Sequence, residues 1–326
     1  MFDNGKVIRK CIICGKDDYE AIFTFTYEYL TKIYKNVSLE SVKEMGWTPD
    51  TRSSIVRCLK CKSIYVRDVF VGYERGRGDH PLEEEVYPST SGYTVQTAEG
   101  VWVLNSIFFL IQNNMFHQKR NSQNRIKFLE FGSGMGALSN LARAMGIRDV
   151  YALDPYTSAQ KIYYEKYNFP GIVFSRDKDV IFKHAPFDVV VSSSVFEHLF
   201  DPVNELISIY DNMNKGGLFY ITNPFMDIDR EITQLKNAKS IYKKDPISHY
   251  HPGHINYLKP KQFKNLLKRI GFEVMSLSVK PPVPLSKYTI NNFLRSNAVR
   301  FAKTVFNQLG VPYSRHCFIV RKKEIL

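Results

Sequence analysis

Residues 126–136 read IKFLEFGSGMG: a short apolar run, an acid at Glu130, then glycines at 132, 134 and 136. The run 126–129 has the length and composition of a buried strand ending at Glu130. A helical pattern follows over Ala137–Met145, with Gly146 placed to end it. The three glycines therefore occupy a strand-to-helix turn. Without β-carbons the backbone can turn sharply there and approach a ligand closely. The N–H groups at the helix start favour an anionic or carboxylate-bearing group. Such a triplet alone is weak evidence, because a tight turn with an incidental acid would look the same. Here Asp154 lies 18 residues beyond Gly136, at the end of the next strand, Asp149–Leu153. An acid at that place can accept both hydroxyls of a ribose. The pair of features indicates a nucleotide-type cofactor.

Strand and helix signals alternate on both sides of this turn, as in a parallel α/β sheet. Residues 159–167 read as helix and Gly171–Phe174 as a third strand. Asp188–Val191 is a continuous apolar run suited to a central strand buried on both faces. Asp201-Pro202 pairs an N-cap with a proline at the first helical position, and Leu206, Ile209, Tyr210 and Met213 share one face of the helix. Gly216-Gly217 is expected to break that helix before a strand at Leu218–Thr222. Pro260 opens another helix that Gly271 closes, and Phe272–Val279 and Cys317–Arg321 supply two further strands. Three regions follow: a module over 1–71, a linker or lid over 72–92 rich in Gly, Pro, Ser and charge, and a domain over 93–326. Within the last, 226–257 is long for a connection and reads as an acceptor-binding insertion, and 281–313 as a helical one.

The length of 326 residues accommodates an α/β core and a smaller module, and a 44% hydrophobic fraction is that of a globular chain. The longest nearly apolar run, Val101–Ile111, is too short for a membrane span and reads as a buried helix. Met1–Lys10 lacks the apolar stretch of a secretory signal, so a soluble, cytoplasmic protein is expected. The net charge of +13 admits nucleic acid, an anionic membrane surface or a phosphorylated small molecule. No dense basic run interleaved with aromatics occurs, which favours solvated lysines or an anionic substrate over nucleic acid.

Four of the five cysteines form two pairs, Cys11-Ile-Ile-Cys14 and Cys58-Leu-Lys-Cys61. Paired C-x-x-C turns let four thiolates converge tetrahedrally on Zn²⁺, and a zinc-ribbon-like module is the expectation for 1–71. The 43 residues between the pairs exceed what a minimal ribbon needs, so an insertion is required. A redox role is the weaker alternative, because neither pair lies in a thioredoxin-like context. Cys317 stands alone in an apolar stretch and reads as core.

The stretch Glu130-Phe-Gly-Ser-Gly-Met-Gly136 resembles motif I of class I S-adenosylmethionine-dependent methyltransferases. Phe187 to Leu199 (FDVVVSSSVFEHL) resembles the motif IV region of their small-molecule branch, Lys215-Gly-Gly217 the turn before strand five, and His254-Ile-Asn-Tyr-Leu with Gly271-Phe-Glu the late segment. The resemblance spans roughly 85–325. It implies a Rossmann-like α/β fold: a seven-stranded sheet with its last strand antiparallel and helices on both faces. It also implies S-adenosyl-L-methionine over the carboxyl ends of strands one, two and four. On that resemblance Asp154 is the ribose acid, Asp177 contacts adenine, Glu130 helps hold the methionine amino group and Ser193 borders the methionine portion.

Methyl transfer requires an aligned acceptor and removal of its proton, a task suited to a general base with a near-neutral pKa. Glu197-His198 follows strand four directly, which makes His198 the candidate base and Glu197 its orienting or substrate-binding partner. The plainer reading is that the pair merely starts a helix and shapes the pocket. Of His249, His251 and His254, the resemblance favours His254 as substrate-facing, and the other two decorate a loop. Tyr87 and Tyr93 either close over the cofactor or are surface tyrosines. A zinc module ahead of such a domain resembles bacterial sugar and surface-polysaccharide methyltransferases, in which the Glu-His pair is associated with acceptor deprotonation. The acceptor so implied is a sugar or nucleotide-linked sugar, methylated on oxygen or carbon. The chain departs from the sugar C-methyltransferases in lacking their additional carboxy-terminal domain. The alternatives are an RNA methyltransferase and a non-catalytic cofactor-binding scaffold. Against RNA, strand four ends in Ser-Ser-Ser, and Asn223-Pro-Phe follows strand five instead.

Overall fold

The computed structural model describes residues 2–3, 6–26, 28–29, 48, 50–70, 126–134, 136–155, 171–223, 232, 254–279 and 316–323. The expected linker 72–92, the apolar run Val101–Ile111, the helix at 159–167 and the insertion 281–313 lie outside the described residues. Of the insertion 226–257, only Ile232 and the stretch 254–257 fall inside them. The chain divides into two compact units: Met1–Val86 with Phe196–Glu205 and Pro224–Leu266, and Tyr87–Val195 with Leu206–Asn223 and Leu267–Leu326.

The second unit is built on seven strands: β7 (Lys127–Phe131), β8 (Asp149–Leu153), β9 (Ile172–Ser175), β10 (Phe187–Ser193), β11 (Met213–Asn223), β13 (Phe272–Val279) and β14 (His316–Lys322). Their spatial order is β13-β14-β11-β10-β7-β8-β9. β7, β8, β9, β10 and β11 pair in parallel, and β14 runs antiparallel to both β11 and β13. The last strand in sequence is therefore the reversed one, as expected. β10 is buried at every position but the last, the pattern of a strand covered on both faces. Phe128, Val150, Val189, Val191, Leu218 and Tyr220 from the strands form one core with Leu138 and Ala142 of helix α1 (Ala137–Ala144).

Helix α2 (Lys178–Phe182) follows β9, and α3 (Pro202–Asp211) follows β10. Asp201 caps α3, accepting from the Asn204 backbone N–H at 3.0 Å. The turn after α3 differs from expectation. Gly216-Gly217 does not separate helix from strand but lies inside β11, which begins at Met213. Phe187 pairs with Met213, yet Val189 already pairs with Leu218, so residues 214–217 bulge out of register. Gly216 takes φ 76° there, and a β-carbon on Gly217 would stand 2.8 Å from the Asn214 carbonyl oxygen. The glycines thus serve a bulge, which sequence alone does not distinguish from a helix stop.

The first unit holds two small sheets. β3 (Tyr19–Thr26), β4 (Arg52–Cys58), β5 (Ile64–Val66) and β12 (Asn256–Tyr257) form one in the order β12-β5-β4-β3, antiparallel throughout. β1 (Phe2–Asp3), β2 (Lys6–Ile8) and β6 (Asp68–Phe70) form the other. β5 and β6 are therefore separated only by Arg67, where the chain changes sheet. Helix α4 (Pro260–Ile270) buries Phe263, Leu266 and Leu267, the spacing that its sequence presents.

Phe272, fully buried at the start of β13, meets the Tyr210 ring edge-on at 4.9 Å between centroids and lies 5.9 Å from Phe219. Phe272→Ala leaves a cavity among these rings and is expected to lower unfolding free energy by about 3–5 kcal/mol. Urea denaturation of the purified variant measures it.

Candidate active site and cysteine cluster

The glycine turn begins where β7 ends. Gly132 has φ 75°, and a β-carbon there would stand 2.2 Å from Val195 Cγ2, so the position is closed to any side chain. The Gly132 and Ser133 N–H groups both donate to the Leu153 carbonyl, at 2.8 and 3.0 Å, tying the turn to the end of β8. Gly136, φ 72°, caps α1, and its N–H donates to the Ser133 carbonyl at 2.8 Å. Asp154, 3% exposed, accepts from the Gly134 N–H at 2.7 Å, so the acid and the glycines are one structural piece.

Glu130 points behind this turn. Its Oε2 accepts from the Ser139 N–H at 2.7 Å and from the Ser139 hydroxyl, which fastens β7 to the first turn of α1. Burial raises the carboxyl pKa, the Ser139 hydrogen bonds oppose that and the Asp154 charge adds to it, leaving Glu130 at about 8. Asp177 is the N-cap of α2, its Oδ1 accepting from the Asp179 N–H at 2.8 Å. Ser193, at the end of β10, shares a 2.8 Å hydrogen bond with the Thr222 hydroxyl. Ser194, next along the chain, takes φ 58°, a left-handed backbone that L-residues rarely adopt, and its N–H donates to the Thr222 carbonyl at 2.9 Å.

Four residues beyond Ser193, in the first unit, come Glu197 and His198. Glu197 is 1% exposed and its Oε1 lies 4.0 Å from His198 Nε2. The His198 ring meets the His254 ring edge-on, with centroids 4.7 Å apart. The structure thus brings His254 against a Glu197-His198 pair more than 50 positions earlier in the sequence. His249, His251, Tyr87 and Tyr93 lie outside the described residues.

The cysteine pairs form two matched turns. In the first, the Gly15 N–H donates to the Cys11 carbonyl and the Cys11 N–H to that of Lys16, each at 2.8 Å. In the second, the Lys62 N–H donates to Cys58 O at 3.0 Å and the Cys58 N–H to Ser63 O at 2.9 Å. Gly15 and Lys62 hold equivalent left-handed positions, φ 67° and 60°. The four sulfurs lie within 4.8 Å of one another, with Cys11–Cys61 at 3.4 Å and Cys14–Cys58 at 3.6 Å. Tetrahedral Zn–S bonds of about 2.3 Å separate sulfurs by about 3.8 Å, so the donor set fits zinc. Burial opposes ionisation of Cys11, but hydrogen bonds from Ser63 and the backbone of Cys14 and Ile13 outweigh it and bring the thiol to about 7. Burial pushes Cys14 up to about 12 and raises Cys61 as well. Ser63, whose hydroxyl lies 3.1 Å from both Cys11 and Cys61 sulfurs, was not evident as part of this cluster from spacing. Ser139 was missed for the same reason: a serine has no motif value until its partner is in place.

A parallel sheet with one reversed strand, carrying a glycine turn and a buried acid at the carboxyl ends of β7 and β8, defines an α/β enzyme fold for a nucleotide-type cofactor. The chain belongs to the methyltransferase domain family, whose model matches residues 111–277, and it is an S-adenosylmethionine-dependent methyltransferase. No curated protein matches it. Among solved structures it is similar to the plantazolicin methyltransferase in complex with S-adenosylhomocysteine, at 14% identity over 77% of this chain and 96% of that one, with a TM-score of 0.46. It is also similar to magnesium protoporphyrin IX methyltransferase from Synechocystis PCC 6803, at 12% identity, 72% and 88% coverage and a TM-score of 0.42. A third is an S-adenosylmethionine-dependent methyltransferase from Mesorhizobium loti, at 14% identity, 61% and 91% coverage and a TM-score of 0.40. Among the described residues, no helix is long and apolar enough to cross a membrane.

Glu130 binds a proton more tightly in the folded chain than in the unfolded one, so its contribution to stability is present below about pH 4.5 and is lost as pH rises toward about 8. Glu130→Gln cannot ionise. Across pH 5 to 8, urea denaturation is expected to show the parent losing stability relative to this variant.

Proposed function

We propose that this methyltransferase acts on a small-molecule acceptor, a sugar or nucleotide-linked sugar, and that Glu197, His198 and His254 handle the acceptor's proton. The observation that carries the reading is the convergence of a buried carboxylate and two edge-to-face imidazoles within the first unit. The sugar assignment is supported by the sequence resemblance, in which a cysteine module precedes a domain bearing a Glu-His pair after its fourth strand.

The cofactor residues we assign are Gly132, Gly134, Gly136 and Asp154, with Glu130, Asp177 and Ser193 as supporting positions. They fit the group: Asp154 is a buried carboxylate beside the turn, and the Ser133 hydroxyl within the turn is buried with no hydrogen-bond partner among the described residues. Bound S-adenosylmethionine would supply a methyl on a sulfonium, open to in-line attack by an acceptor oxygen or carbon. The glycine turn and Asp154 fix the donor's position, and that fixed geometry is worth several orders of magnitude in rate. The His198 imidazole takes the acceptor's proton as the new bond forms, and the Glu197 carboxylate stabilises the imidazolium so produced. His254, stacked edge-on against His198, holds that ring's orientation and faces the acceptor.

We assign one structural zinc ion to Cys11, Cys14, Cys58 and Cys61. Thiols kept reduced for that purpose suit the cytoplasm. Metal analysis of the purified protein is expected to find about one zinc per chain, and Cys58→Ser to lose it together with thermal stability. Full retention of zinc by that variant would remove the assignment.

The acceptor is tested by incubating the protein with S-adenosylmethionine and a panel of nucleoside-diphosphate sugars, reading the gain of one methyl group by mass spectrometry. His198→Ala is expected to lower turnover by about 10²–10⁴-fold with cofactor affinity unchanged in calorimetry. Unchanged turnover ends the base assignment. An RNA acceptor, which the net charge of +13 would favour, predicts instead tRNA binding that weakens steeply with salt.

A further inference from the structure

The segment that carries Glu197 and His198, residues 196–200, belongs to neither a helix nor a strand. Irregular backbone places side chains accurately only when its own polar groups are fixed by something else. Here they are fixed by two buried side chains. Asn256, 2% exposed, donates through both amide hydrogens, to Phe196 O at 2.8 Å and Leu199 O at 2.7 Å. Its backbone N–H donates to Glu197 O at 3.1 Å, beside that of Ile255 at 2.8 Å. Its remaining Oδ1 accepts from Arg9 Nη2 at 2.7 Å, so the amide uses both its donors and its acceptor oxygen.

Arg9 completes the arrangement. It is 3% exposed, and Nη2 also donates to Phe200 O at 2.8 Å while Nη1 donates to Val66 O at 3.0 Å and Ile255 O at 3.2 Å. One guanidinium therefore gathers the 196–200 segment, the 254–256 segment and the end of β5. Its planar fork of donors makes this possible, and a lysine ammonium cannot reproduce the geometry. The Phe200 and Tyr65 rings lie 5.3 and 5.9 Å from the guanidinium carbon. Along the chain Arg9 stands two residues before Cys11, and its N–H donates to Arg67 O at 2.8 Å.

We propose that Arg9 and Asn256 are positioning residues for the Glu197–His198–His254 cluster, and that the cysteine-bearing module is thereby a structural part of that cluster. Asn256 lies two residues from His254 and bonds the carbonyls on both sides of Glu197-His198, so it sets the separation of the two histidine rings directly. The proposal rests on the reading that this cluster handles the acceptor's proton, but it concerns the placement of the rings, which can be read without any acceptor.

The test uses full-length protein with isotope-labelled histidine, its ring signals assigned by single substitution. The parent is expected to show a nuclear Overhauser contact between the His198 and His254 rings. Asn256→Asp keeps the side chain's shape and removes both donors; Arg9→Lys keeps the charge and removes the fork. Both are expected to lose or at least halve that contact, with S-adenosylmethionine affinity within about threefold of the parent in calorimetry. The idea is overturned if the contact is absent in the parent, if it persists at full strength in either folded variant, or if it is lost only alongside cofactor binding. Should Asn256→Asp not fold, Arg9→Lys decides by the same criteria, and should neither fold, the pair are scaffold residues and the positioning role is rejected. Turnover of His198→Ala separately judges the base assignment, so the two ideas fail on different measurements.

Discussion

The glycine turn of the second unit depends on one steric fact: Val195 occupies the space that a side chain at position 132 would need. With Gly132 in place, β7 can end, reverse direction and release two N–H groups to the Leu153 carbonyl at the end of β8. That brings Asp154 within a hydrogen bond of Gly134 and aligns the start of α1 behind the turn. The same valine lies just beyond β10, so the glycine also bears on where the chain leaves the sheet. A single missing β-carbon thus couples three strand ends. The left-handed Ser194 is the accompanying strain, held by the Thr222 carbonyl rather than relieved by a glycine.

Much of this was legible from residues alone, for identifiable reasons. β8 was bounded correctly because its mostly apolar run closes on Asp154-Pro155, and β13 because Gly271 ends the helix just before it. β10 was recognised because a strand buried on both faces shows no alternation. The reversed last strand came only from the family resemblance, since no local pattern encodes strand direction. The bulge at 214–217 was hidden because a Gly-Gly pair has the same appearance whether it stops a helix or interrupts a strand. The change of sheet at Arg67, between β5 and β6, was hidden because it is decided by partners at Ser54, Ile255 and Arg9, far away in sequence. Asn256 was quoted within a motif, yet its role depends on carbonyls more than 50 residues earlier, which no spacing rule could supply.

The cysteine cluster shows how chemistry outlasts sequence identity within one small module. Gly15 and Lys62 occupy the same left-handed position in their respective turns, although one has no side chain and the other a long one. Lysine tolerates that backbone because the turn's own hydrogen bonds, repeated from the first knuckle to the second, over-determine it. The pattern to search for in such modules is therefore the pair of hydrogen bonds closing each C-x-x-C turn rather than a glycine after it.

The placement of β14 has a consequence for how the chain acquires its shape. Among the described residues β13 pairs only with β14, and β14 sits between β13 and β11. On a ribosome delivering the chain from its amino end, β7 to β11 can assemble from contacts already available, whereas β13 must wait for residues 316–322 to emerge and slide between it and its neighbours. The β9 edge of the sheet is thus free to form early, and the β13 edge is sealed last. During that interval β11 presents an unpaired strand edge, a ready template for pairing with a wrong partner.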